Sequence, residues 1–295
     1  MLGSVAGIVS YNPNTKRIRK NIDAVINQFD EVVIVDNASE NISDLSRLIS
    51  DYSSVFLIKN EYNKGIAFAL NQICEFAKGR NAKWCLLLDQ DSICSDNMIG
   101  EYSRYINMEK VGMLCPYIVD EYKITLEDYK NMDLPDLNAC NYAITSGSFV
   151  NIDIWSKVGG FFTDLFIDGV DTDYSYNLRI NGYLIYRINK AYIMHQQGNK
   201  TEKTHIYRIH KDEAGKRTIK PAFRFNYSLM RWYYMARNNL IIIKKYRRLN
   251  GILKPLFSYI IRFASVILLE KNKTKVMKSI YRGLKDGIHY KVDSM

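Results

Sequence analysis

Trp84-Cys85-Leu86-Leu87-Leu88-Asp89-Gln90-Asp91-Ser92 is an apolar run that breaks abruptly into acids and an amide. A short apolar run with polar ends reads as a buried strand. Three similar runs precede it, at Val5–Ser10, Glu31–Asp36 and Val55–Lys59. The segments between them change to helical spacing. Thr15–Phe29 carries Ile18, Ile22, Val25, Ile26 and Phe29 on one stripe, Ser43–Tyr52 carries Leu45, Leu48 and Ile49, and Lys64–Ala77 carries Ile66, Leu70, Ile73, Cys74 and Ala77. Strand and helix in strict alternation predict an α/β fold, a mainly parallel sheet with helices on both faces. Such sheets bind ligands beyond the carboxyl ends of their strands. The candidate site therefore gathers Ser10-Tyr11-Asn12-Pro13, Asp36-Asn37-Ala38-Ser39, Asn60-Glu61-Tyr62-Asn63-Lys64-Gly65 and Asp89-Gln90-Asp91-Ser92.

The residue types there suit particular chemistry. Asp89 and Asp91, two apart at a strand end, are placed to share a hard divalent cation and bridge it to a diphosphate. Asp36 suits a ribose or a base N–H, or else the N-cap of the helix that follows. Further on, Asp168, Asp171 and Asp173 cluster between the Gly159-Gly160 turn and an amphipathic stretch. One of them is a candidate general base for a hydroxyl; a helix start enriched in acids by its dipole is the other reading. His195 ends the short apolar run Ala191-Tyr192-Ile193-Met194. It is a candidate third metal ligand, or a histidine with a structural role.

The chain has 295 residues, 47% apolar and 24% charged. These are globular values that exclude disorder and collagen-like sequence. Its five cysteines are scattered and form no CxxC, which points to free thiols in a reducing compartment. The N-terminus lacks a basic region and reads as the first strand rather than a signal peptide. No run of eighteen uncharged apolar residues suggests a transmembrane helix.

The net charge of +10 conceals two opposed parts. Residues 1–199 hold 18 Lys/Arg against 25 Asp/Glu, a balance of −7, and residues 200–295 hold 23 against 6, a balance of +17. A basic, aromatic-rich tail calls for a polyanion. Phe223, Arg224, Phe225, Tyr227, Arg231, Trp232, Tyr233, Tyr234 and Arg237 begin it. Leu253, Leu256, Phe257, Ile260, Ile261, Ala264, Ile267 and Leu268 then recur at helical spacing, with Lys254, Ser258, Arg262 and Ser265 opposite. A basic amphipathic helix of this kind lies in an anionic membrane interface, or packs its stripe on the catalytic part or a second subunit. We therefore divide the chain into a catalytic domain, 1–220, and a basic helical region, 221–295.

In order along the chain, Val9-Ser10-Tyr11-Asn12-Pro13, Val35-Asp36-Asn37-Ala38-Ser39, Asn63-Lys64-Gly65-Ile66-Ala67 with Asn71, Leu87-Leu88-Asp89-Gln90-Asp91-Ser92, Thr145-Ser146-Gly147-Ser148, Gly159-Gly160-Phe161, Phe166-Ile167-Asp168 with Asp171 and Asp173, Arg179 with Gly182-Tyr183, His195, and Tyr234 to Asn238 form one series. Over about residues 5–240 this series resembles the family-2 inverting glycosyltransferases of the GT-A fold, and among them the bacterial rhamnosyltransferase-type branch. The resemblance implies a nucleotide-sugar donor, dTDP-rhamnose before UDP-galactofuranose or another UDP-hexose. Tyr11, Asn12, Asp36, Asn37, Asn63, Gly65, Asp89, Ser146 and Gly147 would contact that donor. Asp91, with Asp89 and His195, would hold Mg²⁺ or Mn²⁺. The family's E/D-D-x-D segment reads Val170-Asp171-Thr172-Asp173, with Val in place of the first acid. Asp171 is therefore the first candidate for the base and Asp168 the second, while Asp173 and Arg237 would meet the acceptor or the diphosphate. The implied acceptor is a saccharide on a polyprenyl diphosphate, which places the protein in the cytoplasm at the inner face of the bacterial cytoplasmic membrane, with a homo-oligomer as a further option.

Other classes fit less well. No GxGxxG or P-loop is present, so a dehydrogenase or P-loop NTPase is not expected. A nucleotidyltransferase would carry a Gly-rich basic loop where this chain has Tyr11-Asn12-Pro13. A nucleic-acid partner suits the tail, but not the acidic strand ends of the first part.

Overall fold

The computed structural model describes residues 3–120, 124–195, 202–211 and 217–292. The chain divides into two compact units, Met1–Gln196 and Gln197–Met295.

The first unit begins β1 (Val5–Ser10), α1 (Thr15–Ile26), β2 (Glu31–Asp36), α2 (Ile42–Ile49), β3 (Val55–Lys59), α3 (Ile66–Gly79) and β4 (Trp84–Asp89). It continues with β5 (Ile93–Cys94), α4 (Met98–Ser103), β6 (Val111–Asp120), α5 (Leu126–Lys130), β7 (Leu137–Cys140), β8 (Phe149–Asn151), α6 (Ile152–Lys157), α7 (Val170–Ile180) and β9 (Leu184–His195). Among the described residues these strands form a nine-stranded sheet in the order β3-β2-β1-β4-β8-β6-β9-β5, with β7 also on β9. The first four strands are parallel, as their continuous apolar runs predict. Beyond β4 the sheet is mixed: β8 runs antiparallel to β4 and β6, while β6 and β9 are parallel.

Every residue of β1 is buried. Ile18, Ile22 and Val25 of α1 are fully buried in the core beside Ile8, Ile34, Leu86 and Leu88. Each such side chain contributes about 1.5–3 kcal/mol. Phe149 stacks on Trp84 and Tyr102 with centroids 5.3 and 5.4 Å apart, joining the parallel and mixed halves. All five cysteines are free thiols and four are buried.

The second unit contains a hairpin of β10 (Glu202–Lys211) and β11 (Arg217–Arg224), then α8 (Leu229–Lys245), α9 (Arg247–Asn250), α10 (Leu253–Leu269) and α11 (Lys273–His289). Gly283 and Gly287 of α11 lie against α8. A Cβ at Gly283 would come within 2.2 Å of the Tyr233 carbonyl oxygen, and one at Gly287 within 2.8 Å of that of Arg237. The Lys244 ammonium donates to the carbonyls of Gly287, Ile288 and Tyr290 at 2.7–3.0 Å, closing the end of α11. The hairpin belongs to this unit. Arg224 donates to the Leu269 carbonyl at 2.6 Å and pairs with Glu202, which also meets Lys271 at 3.0 Å. The division therefore falls earlier than the expected 220/221 boundary.

The apolar stripe of α10 is split. Phe263, Val266 and Leu269 are buried, the first two in a core with Trp232 and Ala236. Leu253, Phe257, Ile260, Ile261 and Leu268 remain 54–82% exposed. No described helix is long and apolar enough to cross a membrane.

Candidate active site

The loops after β1, β2, β3 and β4 are bound to one another at the carboxyl edge of the sheet. Tyr11 donates its amide to Gln90 Oε1 at 2.8 Å. Asn12, with a left-handed φ of 48°, donates its amide to Ser39 Oγ at 2.7 Å and accepts from the Glu40 amide at 2.8 Å. Asn37 donates to the Gly65 carbonyl at 3.0 Å and accepts from Asn60 Nδ2 and the Lys64 amide at 3.0 and 3.2 Å. Asn63 accepts from the Gly65 amide at 2.9 Å. Gly65 has a φ of 85°, and a Cβ there would lie 2.5 Å from the Phe166 carbonyl oxygen. Glycine is therefore required where α3 meets the loop leading to Asp168.

Several residues assigned to the donor by resemblance are thus occupied within the protein. Asp36 is 1% exposed and accepts from the Ser39 amide at 2.8 Å, from the Ser39 hydroxyl and from Ser10 Oγ at 3.3 Å. It closes the 36–39 turn instead of capping α2, whose N-cap is Asn41. Asn37 is 3% exposed and Ser146 1% exposed. Gly147 is packed so that a Cβ would meet Pro116 Cγ at 2.5 Å. Ser146 and Gly147, expected to contact the donor, are thus buried in the base of this edge. Tyr11, by contrast, is half exposed.

The Asp89-Gln90-Asp91 turn is held through its backbone. Asn21 donates to the Asp89 carbonyl at 2.8 Å, and Arg17 donates through Nε and Nη2 to the Asp91 carbonyl at 2.9 and 2.7 Å. Both residues lie on α1. Ser146 Oγ accepts from the Asp89 amide at 3.1 Å and donates to Ser92 Oγ at 2.7 Å. The antiparallel pairing of Ile93 with Met194 brings the backbone of His195 beside this turn; the His195 side chain lies outside the described residues. Among the described residues no three His, Cys, Asp or Glu side chains converge as a metal site. Two partly buried carboxylates nevertheless fit Mg²⁺ or Mn²⁺, hard ions that bind few protein oxygens and fill their shell with water and phosphate.

The second acidic centre opens α7. Asp168 has a φ of 63° and Gly169 one of 86°, a reversal that starts the helix at Val170. Asp171 Oδ1 accepts from Thr145 Oγ1 at 3.0 Å and from the Thr145 amide at 3.3 Å. Burial raises the Asp171 carboxyl above the usual carboxylate range; the bonds from Thr145 and Tyr142 oppose that rise and the charge of Asp168 adds to it. Asp173 is fully buried. It lies on the inward face of α7, away from solvent, where the acceptor or diphosphate contact expected for it would have to reach a buried carboxylate. Arg237, assigned the same role, lies in the second unit, where its guanidinium stacks on Tyr290 at 5.0 Å and donates to Asn238 at 3.0 Å.

Arg17, Asn21, Tyr142 and Thr145 were not singled out from sequence as site residues. Asn21 offered a signal: an amide at a core-facing position of the apolar stripe formed by Ile18, Ile22 and Val25, which the structure buries.

The chain is similar to several known proteins. The family model described as Glycosyl transferase family 2 matches residues 6–178. The dTDP-rhamnosyl transferase RfbF of Shigella flexneri is 28% identical over 297 residues, covering 96% of this chain and 94% of that one. The prophage-derived glycosyltransferase SunS of Bacillus subtilis is 24% identical over 119 residues, covering 39% of this chain and 27% of that one. S. aureus TarS 1-349 in complex with UDP-GlcNAc superposes with a TM-score of 0.53 at 12% identity, covering 96% of this chain and 89% of that one. GalNAc-T7 with UDP, GalNAc and Mn²⁺ gives 0.53 at 14% identity, covering 66% of this chain and 43% of that one. A GT-A sheet with two acidic centres at its carboxyl edge, matched by the family model over more than half of its length, makes this chain a member of glycosyl transferase family 2.

Proposed function

We propose that this glycosyltransferase moves L-rhamnose from dTDP-rhamnose to a saccharide acceptor, with inversion and with a divalent metal. One observation carries the reading: Asp171 and the Asp89–Asp91 turn hang on the same short segment, Thr145–Ser148. Acceptor activation and departure of the diphosphate are thus set side by side. The Shigella relative, similar over nearly the whole chain, supports rhamnose as the sugar.

Asp171 would take the acceptor hydroxyl's proton as that oxygen attacks the anomeric carbon from the face opposite the diphosphate. A carboxyl raised by burial is a better proton acceptor near neutral pH than an ordinary one. Tyr11 and Asn12 would bound the nucleotide. Asp91 with Asp89, and His195 beside them, would hold Mg²⁺ or Mn²⁺, which when bound neutralises charge on the diphosphate. Arg17 and Asn21 keep that turn in place.

Calorimetric titration with dTDP-rhamnose, UDP-galactofuranose and UDP-glucose, with Mn²⁺ and with EDTA, tests the donor. Metal-dependent binding of dTDP-rhamnose is expected. Preference for a UDP-sugar overturns the donor, and DNA or RNA binding without any sugar binding overturns the enzyme reading.

We further place the protein at the cytoplasmic face of the bacterial membrane, where a polyprenyl-diphosphate-linked saccharide would be its acceptor. The exposed α10 residues Leu253, Phe257, Ile260 and Ile261 are flanked by exposed Lys254, Arg248 and Arg262. This combination of apolar and cationic side chains suits anionic lipid, whereas a second copy would bring +17 against +17. Phe257→Glu with Ile260→Glu should cut co-sedimentation with phosphatidylglycerol vesicles by about tenfold. Unchanged sedimentation, or loss of a dimer instead, contradicts the placement.

A further inference from the structure

The segment Thr145–Ser148 is tied into the sheet more heavily than a connection between β7 and β8 needs. Gly147 donates to the Leu87 carbonyl at 2.7 Å, Leu87 donates to that of Ser148 at 2.9 Å, and the buried Tyr102 hydroxyl donates to that of Gly147 at 2.6 Å. These bonds fix the segment against β4, the strand that ends in Asp89. From this base Ser146 reaches the Asp89 amide and Ser92, while Thr145 reaches Asp171 with both its amide and its hydroxyl. Tyr142, three residues earlier and exposed, adds a phenol hydrogen bond to the same carboxylate.

We propose that Thr145, with Tyr142, is a positioning residue for sugar transfer: it holds the Asp171 carboxylate toward the donor and fixes its distance from the Asp89–Asp91 turn through the 145–148 segment. This rests on the reading of Asp171 as the base. Among the described residues the titratable groups acting on Asp171 are Asp168, whose charge raises its pKa, and Tyr142, whose hydrogen bond lowers it. Thr145 lowers it as well, by hydrogen bonding to the charged form. Deleting the hydroxyl therefore has a definite sign. The carboxylate loses a donor, its pKa rises, and the fraction of ionised base at a given acid pH falls.

The test compares pH profiles of kcat/KM for wild type, Thr145→Val, Thr145→Ser, Tyr142→Phe and Asp171→Asn, using release of nucleoside diphosphate from the preferred donor. Thr145→Val should move the acidic limb up by about one pH unit and lower kcat, with the donor KM within about twofold of wild type. Thr145→Ser, which keeps the hydroxyl, should restore the limb. Tyr142→Phe, at an exposed position where folding is not at stake, should shift the limb the same way and serves if Thr145→Val does not fold. An unmoved limb in both Thr145→Val and Tyr142→Phe, or a Thr145→Ser enzyme no better than Thr145→Val, overturns the proposal. A fully active Asp171→Asn enzyme overturns the base and the positioning role together. An inactive Asp171→Asn with unshifted limbs elsewhere overturns the positioning role alone.

Discussion

Asp171→Asn is expected to lower kcat for sugar transfer by about 10²–10⁴-fold, the usual contribution of a general base, and to leave the donor affinity within about twofold. The amide has the size of the carboxylate and retains an oxygen for the Thr145 hydroxyl and amide, so the fold and the 145–148 segment should be undisturbed. On the proposed mechanism, what disappears is the carboxylate that would take the acceptor hydroxyl's proton during attack. The loss should appear equally in kcat and kcat/KM, the pattern of an interaction made in the transition state. Asp168→Asn is the matched control. Its charge raises the Asp171 pKa, so its removal should lower the acidic limb of the pH profile without abolishing transfer. Initial rates of diphosphate release in the two variants separate the roles, and an Asp168→Asn enzyme that is the more damaged would exchange them.

Asp91→Ala is expected to lower kcat/KM by about 10²–10³-fold and to remove its response to added Mn²⁺. The Arg17 guanidinium binds the Asp91 carbonyl and not its carboxylate, so the turn should keep its path after truncation. The thermal midpoint should therefore stay near that of wild type while metal-dependent donor binding is lost. Asp36→Ala should behave in the opposite way. Asp36 is buried with partners in Ser10 and Ser39, and its removal should cost stability before it costs metal response. Calorimetry with and without EDTA, beside thermal melts of both variants, reads the contrast. An Asp91→Ala enzyme with unaltered metal dependence would move the metal elsewhere.

The parallel half of the sheet was legible in the sequence because β1, β2 and β4 are buried on both faces and so read as unbroken β-branched and leucine runs, while the edge strand β3, half-buried, still reads Val55-Phe56-Leu57-Ile58. The mixed half was not. β7 is Leu137-Asn138-Ala139-Cys140 and β8 is three residues long, too short for either to show a period. The end of the first unit was marked better by charge than by aromatic density. The change from −7 to +17 at residue 200 lies close to the division after Gln196, because the hairpin, with its Lys and Arg, is anchored to α10 and to Lys271.

In the site, acids at strand ends were legible as acids near a ligand, but residue type does not say which way a side chain faces. Asp36, Asn37 and Ser146 are as polar as Asp91, yet they spend their hydrogen bonds on neighbouring loops. Thr145 carries no mark in the sequence of its bonds to Asp171, which join segments 26 residues apart. Such partners are set by how β4, β8 and α7 come together, and only the folded chain brings them into contact.

Direct displacement at one centre, with Asp171 as the base, predicts the configuration of the sugar that leaves the enzyme. Proton NMR of the glycoside formed from dTDP-rhamnose should show, at the new linkage, an anomeric centre opposite to that of the donor. A product with the donor's own configuration would require a second displacement or attack from the face of the departing diphosphate, and would contradict both the direct inverting displacement and the role given to Asp171.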